Sequence, residues 1–443
     1  MRQIAQSRAS FVQSAHISYR QDPFAPMKYN DKFLQHDTGN SILHEYANYF
    51  RRPPPKHYIN LLRKGRTIMK FNLNYQNAIS TPGTHTRLIR LMKRAAAGET
   101  LRLGFLGGSI TQGSLSTKPE LCYAYHVYEW WQQAFPKAEF IYINAGIGGT
   151  SSQFGVARAD SDLLTEEPDF AIVEFSVNDE STEHFMETYE GLVRKIYTSK
   201  TSPAMLLVHN VRYDSGANAQ VMHGRIARHY SLPAVSMQST IYPEVVSGRI
   251  ENREITPDDL HPNDLGHEMV ASVITYFLEQ VKAEMESGSY EEETEPVFPA
   301  PLTENAYENS YRLRNDNSEP QLSGFMPDET PQQHITDCFK RGWTAGKTGD
   351  TIRFLVKGTG VAVQYRKSVR QPAPVAEVVV DGDKESAVLL DANFDETWGD
   401  KLELATVLEH GENKEHQVEI RLVETNENDA VPFYLVSVIG SGE

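Results

Sequence analysis

The tightest constraint on this chain is a regular alternation of strand-like and helix-like runs between residues 84 and 281. The apolar runs LRLGFLG (101–107), FIYINAG (140–146), FAIVEFS (170–176), AMLLVHN (204–210) and PAVSM (233–237) have helix-like stretches between them. Those stretches fall near 84–97, 122–135, 152–164, 183–199, 216–231 and 264–281. In the first, Leu88, Leu91, Met92 and Ala95 recur at i, i+3, i+4 and i+7, and Gly98 follows as a stop. Strands alternating with helices imply βαβ units, hence a parallel sheet with helices on both faces. FAIVEFS is nearly all apolar, as a strand covered on both faces must be.

The pattern changes after residue 281. YEEETEPVFPAP (290–301) is acidic and proline-rich and reads as a linker. From about 340 the helical signals stop. TIRFLVKG, GVAVQYRKS, VAEVVVDGD, LELATVLEHG, EHQVEIRL and FYLVSVIG are short β runs between Gly, Asp and Asn turns, which predicts a sandwich or jelly roll. Residues 1–80 show no periodicity and are broken by Pro53-Pro54-Pro55. They are expected to pack on other parts of the molecule as short strands and loops. The predicted division is an extension (1–83), an α/β domain (84–285), a linker (286–335) and a β-sandwich (336–443).

Four short motifs carry chemistry. GGSIT (107–111) follows the first strand of the alternation, and active sites of open parallel sheets lie beyond the carboxyl ends of strands. After two glycines, Ser109 can sit on a sharp turn with its hydroxyl exposed. NAGIGGTSS (144–152) offers glycine N–H groups, and SVND (176–179) offers the Asn178 amide. An acyl-transfer transition state needs two or three such donors for its oxyanion. DDLHPN (258–263) places Asp258 three residues before His261. A carboxylate on one ring nitrogen fixes the tautomer that lets the other nitrogen take a proton from serine. Taken singly, each motif reads as an ordinary turn or helix cap. Together, three of them end successive parallel strands, and the fourth supplies the only Asp/His pair at a triad-like spacing.

GGSIT, NAGIGG, SVND and DDLHPN resemble the four ordered blocks of the SGNH, or GDSL-type, hydrolase superfamily over about residues 100–281. The resemblance implies a flavodoxin-like three-layer α/β/α fold. It implies Ser109 as nucleophile, Ser109, Gly149 and Asn178 as the oxyanion hole, and Asp258 and His261 as the remaining triad members. Gly108 replaces the usual Asp before the nucleophile, a variant associated with bacterial carbohydrate esterases of this superfamily. Ser176 replaces the usual Gly of the third block and is expected to alter the rim of the site. The C-terminal β region resembles the jelly roll that accompanies some of these esterases. It is expected to form one wall of the site or a subunit interface.

The resulting expectation is a serine esterase that removes O-acetyl groups from plant-type oligosaccharides and prefers acetate to longer acyl groups. The same residues would serve a thioesterase, a lipase or an acyltransferase, and a relic site would leave a carbohydrate-binding protein. No cofactor is expected. His261 and His267 lack a metal-like spacing, so no metal is expected either. The net charge of −16, from 59 acidic and 43 basic side chains, argues against nucleic-acid and anionic-membrane partners. No run approaches the roughly 18 apolar residues of a membrane span, and the N-terminus lacks the apolar core of a secretion signal. A cytoplasmic protein, possible as a homo-oligomer, is the simplest expectation. Cys122 and Cys338 suggest no disulfide framework. The aromatic run YAYHVYEWW (123–131) reads as helix core, and Trp398 is either a sugar platform or a partly buried packing residue.

Overall fold

The computed structural model describes residues 71–288 and 297–442. The alternating region forms a sheet of six strands: β1 (Ile79–Thr81), β2 (Thr100–Gly107), β3 (Glu139–Gly146), β4 (Phe170–Glu174), β5 (Ala204–His209) and β6 (Ala234–Ser236). Their order is β1-β6-β5-β4-β2-β3. Strands β2 to β6 are parallel, and β1 pairs antiparallel with β6. Without β1 this is the second-first-third-fourth-fifth order of flavodoxin-like sheets. The chain leaves β2 to one side for β3 and to the other for β4. The switch point, where such sheets bind ligands, therefore lies at the carboxyl ends of β2 and β4.

The helices are α1 (Thr86–Ala97), α2 (Ser109–Gln112), α3 (Tyr123–Ala134), α4 (Ser152–Asp162), α5 (Glu183–Tyr197), α6 (Gln220–His229), α7 (Ile241–Val246), α8 (Asn252–Ile255) and α9 (Asp264–Ser287). Side chains of a strand alternate between faces, and the two cores follow that alternation. Leu101, Leu103, Phe105, Phe170 and Ile172 share one core with Leu88, Val127, Trp131 and Phe277 of α1, α3 and α9. Leu106, Ala171 and Val173 share the other with Val156, Leu192 and Ile226 of α4, α5 and α6. The predicted three-layer domain is thus present, and the aromatic run forms α3, with Tyr123, Val127 and Trp131 buried.

Residues 71–83 belong to this domain. Phe71, Tyr75 and Ala78 are buried in the first core, and the Tyr75 hydroxyl lies 3.0 Å from Ser272 Oγ of α9. The rest of the predicted extension, 1–70, lies outside the described residues.

The C-terminal region is a sandwich of two antiparallel sheets. Its strands are β7 (Tyr311–Leu313), β8 (Gln321–Ser323), β9 (Met326–Pro327), β10 (Trp343–Ala345), β11 (Thr351–Gly358), β12 (Gly360–Lys367), β13 (Val375–Val380), β14 (Val388–Asp391), β15 (Lys401–Leu408), β16 (Lys414–Glu424) and β17 (Phe433–Ser441). One sheet runs β15-β12-β17-β10-β9 with β7 beside β17; the other runs β14-β13-β16-β11-β8. Phe354, Val378 and Ile420 of one sheet share a core with Val363, Phe433 and Val438 of the other. The stretch read as a linker over 286–335 differs from expectation, because β7, β8 and β9 fall inside it and belong to the sheets. Each is two or three residues long, too short to show a period. Ahead of them, the buried Glu190 carboxylate of α5 accepts the N–H groups of Leu302 (2.6 Å) and Thr303 (2.7 Å). Phe298 stacks on Tyr197 and Tyr230. The described part of that stretch is therefore pinned to the α/β region.

The sandwich seats on α4. Ile147, Phe154 and Ala157 share an apolar cluster with Ala362, Leu402, Tyr434, Val436 and Ile439. Gln153 Nε2 donates to Thr406 Oγ1 at 2.8 Å beside it.

Candidate active site

Ser109 opens α2 directly after β2 and is 7% exposed. As the first residue of a helix, its N–H has no intrahelical acceptor. Gly108 has a steric reason: a Cβ there would stand 2.1 Å from Asn178 Oδ1. The usual Asp at this position would force the Asn178 side chain to move. That glycine lets the third motif lie directly against the turn that carries Ser109.

His261 and Asp258 lie in the loop between α8 and α9. The loop is fixed at both ends. Asn263 caps α9 by accepting the Gly266 N–H, and Arg253 holds Asp259 in its left-handed conformation at 2.8 and 2.9 Å. His261 Nε2 is 2.8 Å from Ser109 Oγ, and His261 Nδ1 is 2.6 Å from Asp258 Oδ2. Asp258 Oδ1 also accepts the backbone N–H of His261 (2.7 Å) and of Leu260 (3.1 Å). Partial burial pushes this carboxyl up. The hydrogen bonds from the His261 ring and backbone outweigh that and hold it at about 2. An ionised carboxylate on Nδ1 places the ring proton there and leaves Nε2 free to accept from the serine hydroxyl.

The glycine turn after β3 abuts the serine. A Cβ on Gly148 would stand 3.5 Å from Ser109 Cβ, and the Gly148 N–H donates to Gln112 Oε1 at 2.6 Å. Gly149 has φ +69° and open space on its Cβ side, a conformation that favours glycine. Its N–H meets no acceptor among the described residues. Asn178 Oδ1 is buried against Gly108 without a donor, and its Nδ2 has no acceptor in the described protein. The structure thus brings Ser109, His261, Asp258, the Gly148–Gly149 turn and Asn178 to the carboxyl ends of β2, β3 and β4. The arrangement can deprotonate a hydroxyl beside several unspent N–H donors, which is the equipment of acyl transfer.

A supporting layer was not singled out in the sequence. The buried Asp179 carboxylate accepts the Ser152 N–H (2.8 Å), at the start of α4, and lies 3.0 Å from His223 Nε2. It therefore ties the Asn178 turn to the end of the glycine turn. His223 is itself stacked on Tyr189 at 3.6 Å. The buried Arg158 of α4 donates to Gly107 O (3.0 Å) and Ala145 O (2.7 Å), clasping the ends of β2 and β3. Glu174, at the end of β4, is fully buried, and burial pushes its carboxyl up to about 7. Ser176 donates to it at 3.3 Å and to Asn210 O at 3.0 Å. Ser176 is completely buried, so it lies beneath the site and not at its rim as expected. The signals were single polar residues in apolar or motif contexts: Asp179 after Asn178, Arg158 in VARA, Glu174 in FAIVEFS.

His267 meets the Tyr123 N–H through Nδ1 (3.3 Å) and Ser114 O through Nε2 (3.2 Å), which uses both nitrogens in packing. Trp398 is 60% exposed, with Phe394 edge-on at 5.2 Å, so it is not the partly buried packing residue that was one of its two expected roles.

Residues 105–269 match the model of the GDSL-like lipase/acylhydrolase family. Among solved structures, the chain is similar to a two-domain esterase active on acetylated mannans, also solved co-crystallised with mannopentaose. Identity is 70% and the TM-score 0.81, covering 84% of this chain and 99% of that one. An acetylxylan esterase from Geobacillus stearothermophilus is 19% identical, covering 40% of this chain and 94% of that one, with a TM-score of 0.34. No curated protein matches the chain.

Proposed function

This chain belongs to the GDSL-like lipase/acylhydrolase family and is a carboxylic ester hydrolase, and from that premise we propose that it deacetylates mannan-type oligosaccharides through Ser109, His261 and Asp258. The observation that carries the proposal is the unbroken line Ser109 Oγ–His261 Nε2, 2.8 Å, and His261 Nδ1–Asp258 Oδ2, 2.6 Å. As Oγ attacks the acetyl carbonyl, Nε2 takes its proton and the carboxylate stabilises the imidazolium. The N–H groups of Ser109 and Gly149 and the Asn178 amide receive the oxyanion. The imidazolium then protonates the departing sugar oxygen. Water, deprotonated by the same ring, hydrolyses the acetyl-enzyme and releases acetate.

The substrate class is supported by the 70% identical esterase active on acetylated mannans. The test is acetate release from acetylated manno- and xylo-oligosaccharides, with a p-nitrophenyl ester series and Ser109→Ala as blank. Manno-oligosaccharide and acetate should be preferred. A preference for octanoate, or turnover surviving in folded Ser109→Ala, would overturn the proposal.

A further inference from the structure

The seam between the α/β region and the sandwich encloses a cavity of about 300 Å³ including its mouth, with room inside for about one water-sized group. Phe154 of α4 and Leu402 of β15 give it apolar walls, and its charged lining is Arg312, Arg314, Lys340 and Asp162. The single carboxylate is already engaged, since Asp162 pairs with the buried Arg158 at 3.1 Å. Arg314 meets Asp316 at 3.4 Å, and that carboxylate also pairs with Arg341 at 2.7 Å. The Arg312 guanidinium has no hydrogen-bond acceptor among the described residues. Its side chain is partly exposed, its Nε is buried and unpartnered, and its guanidinium lies 4.7 Å from the centre of the Phe154 ring. Burial, with repulsion from Arg314 and only partly offset by attraction from Asp162, lowers its pKa to about 10, so it stays charged at neutral pH. A partly buried cation with no carboxylate paired to it is costly unless a counter-charge joins it. The surplus is local, because the chain as a whole carries −16.

We propose that this cavity binds a small monovalent anion of the halide class, held by the Arg312 guanidinium and flanked by Arg314 and Lys340. The size of the enclosed space sets the class, since it suits a single monatomic ion better than phosphate or sulfate. The ion neutralises the unpaired guanidinium of β7 where it faces α4. It therefore clamps the sandwich against the helix that follows the glycine turn. This site is independent of the ester chemistry.

The test is thermal unfolding of the full chain at constant sodium and ionic strength, with chloride replaced stepwise by gluconate. Crystals soaked in bromide are read by anomalous scattering. Wild-type Tm should rise by about 2 °C or more as chloride reaches roughly 0.2 M. Arg312→Met should lose that rise, and in gluconate it should melt no lower than wild type, because it removes an uncompensated charge. Bromide should give a peak beside the Arg312 guanidinium. The proposal is overturned if Arg312→Met keeps the chloride response, or if the cavity shows no bromide. A bromide peak without the chloride-dependent rise also overturns it, as binding at crystal concentration only. Should Arg312→Met fail to fold, Arg312→Lys and the wild-type bromide map decide.

Discussion

The groups that hold Ser109 ready include several that never touch it, so the residue-scale tests separate contact from support. Asn178→Ala should lower kcat by about 10²–10³-fold if the amide receives the oxyanion. Asp179 acts through its neighbours, by fixing the Asn178 turn to the Ser152 N–H. Asp179→Ala should lower kcat about tenfold or more at nearly constant KM, yet cost little further activity in an Asn178→Ala background. Additive losses in that double-mutant cycle would leave Asp179 a purely structural residue. Glu174 gives a pH test with a definite sign. Its folded pKa is raised from 4.5 to about 7, so the fold prefers the neutral acid. That stability is fully present below about pH 4.5 and is lost as pH rises to 7. Glu174→Gln should therefore gain on wild type by up to about 3 kcal/mol at pH 8 and gain nothing at pH 4, read from urea midpoints. A wild-type rate that changes near pH 7 should be assigned to the imidazole only if Glu174→Gln keeps the change. The residues proposed to carry the chemistry could be singled out in the sequence because each sits where a strand pattern ends or a helix begins. Asp179, Arg158 and Glu174 were not, because their work depends on which backbone groups and side chains they meet, such as Gly107 O and Ala145 O for Arg158.

Elements were legible broadly by their length, the three-residue β6 excepted, which was read from the apolar run PAVSM. Strands β2 to β6 and α1, α3, α4, α5, α6 and α9 coincide with the runs read from periodicity, since most of them repeat an apolar face several times. The three-residue β1, the short strands β7 to β10 and the helices α2, α7 and α8 carry too few residues to show a period. They are fixed by partners distant in sequence: β1 by β6, β7 by β17, β8 by β11. Dependence of this kind can be tested at β1. It covers the edge of β6, and the segment before it buries Phe71, Tyr75 and Ala78. A chain beginning at residue 84 would lose the burial of two aromatic side chains, about 1.5–3 kcal/mol each, and would uncover a strand edge. It should unfold at a lower urea concentration by about 3–5 kcal/mol and aggregate more readily. An unchanged midpoint would show that residues 71–83 are only draped on the sheet.

At the scale of the molecule, the question is whether the α/β region and the sandwich behave as one body. The seam argues that they do. Ile147, Phe154 and Ala157 meet Leu402, Tyr434 and Val436 in one apolar cluster. Around it, Gln153 and Thr406 exchange hydrogen bonds at 2.8 and 3.1 Å, and Lys195 donates to Ser310 O at 2.7 Å. The described part of the chain that joins the two regions is itself held down, through Glu190 and the Phe298 stack. An interface that is apolar at its centre and bonded at its margin couples unfolding on its two sides, so calorimetry of the wild type should show one transition. Val436→Asp places a charge in this apolar cluster at a residue that does not line the cationic cavity. Such a burial costs several kcal/mol, and the seam can avoid it only by opening. The variant should therefore show two transitions, one for each region. The same change should reach the chemistry. Ile147 is directly followed by Gly148, whose N–H is bonded to Gln112 on the helix that Ser109 opens. Releasing Ile147 loosens the turn that carries Gly149, so kcat should fall about tenfold while the Ser109–His261 geometry is retained. Two transitions in the wild type would show that the regions fold separately. Full activity in a Val436→Asp protein that melts in two steps would show that the sandwich does not brace the glycine turn.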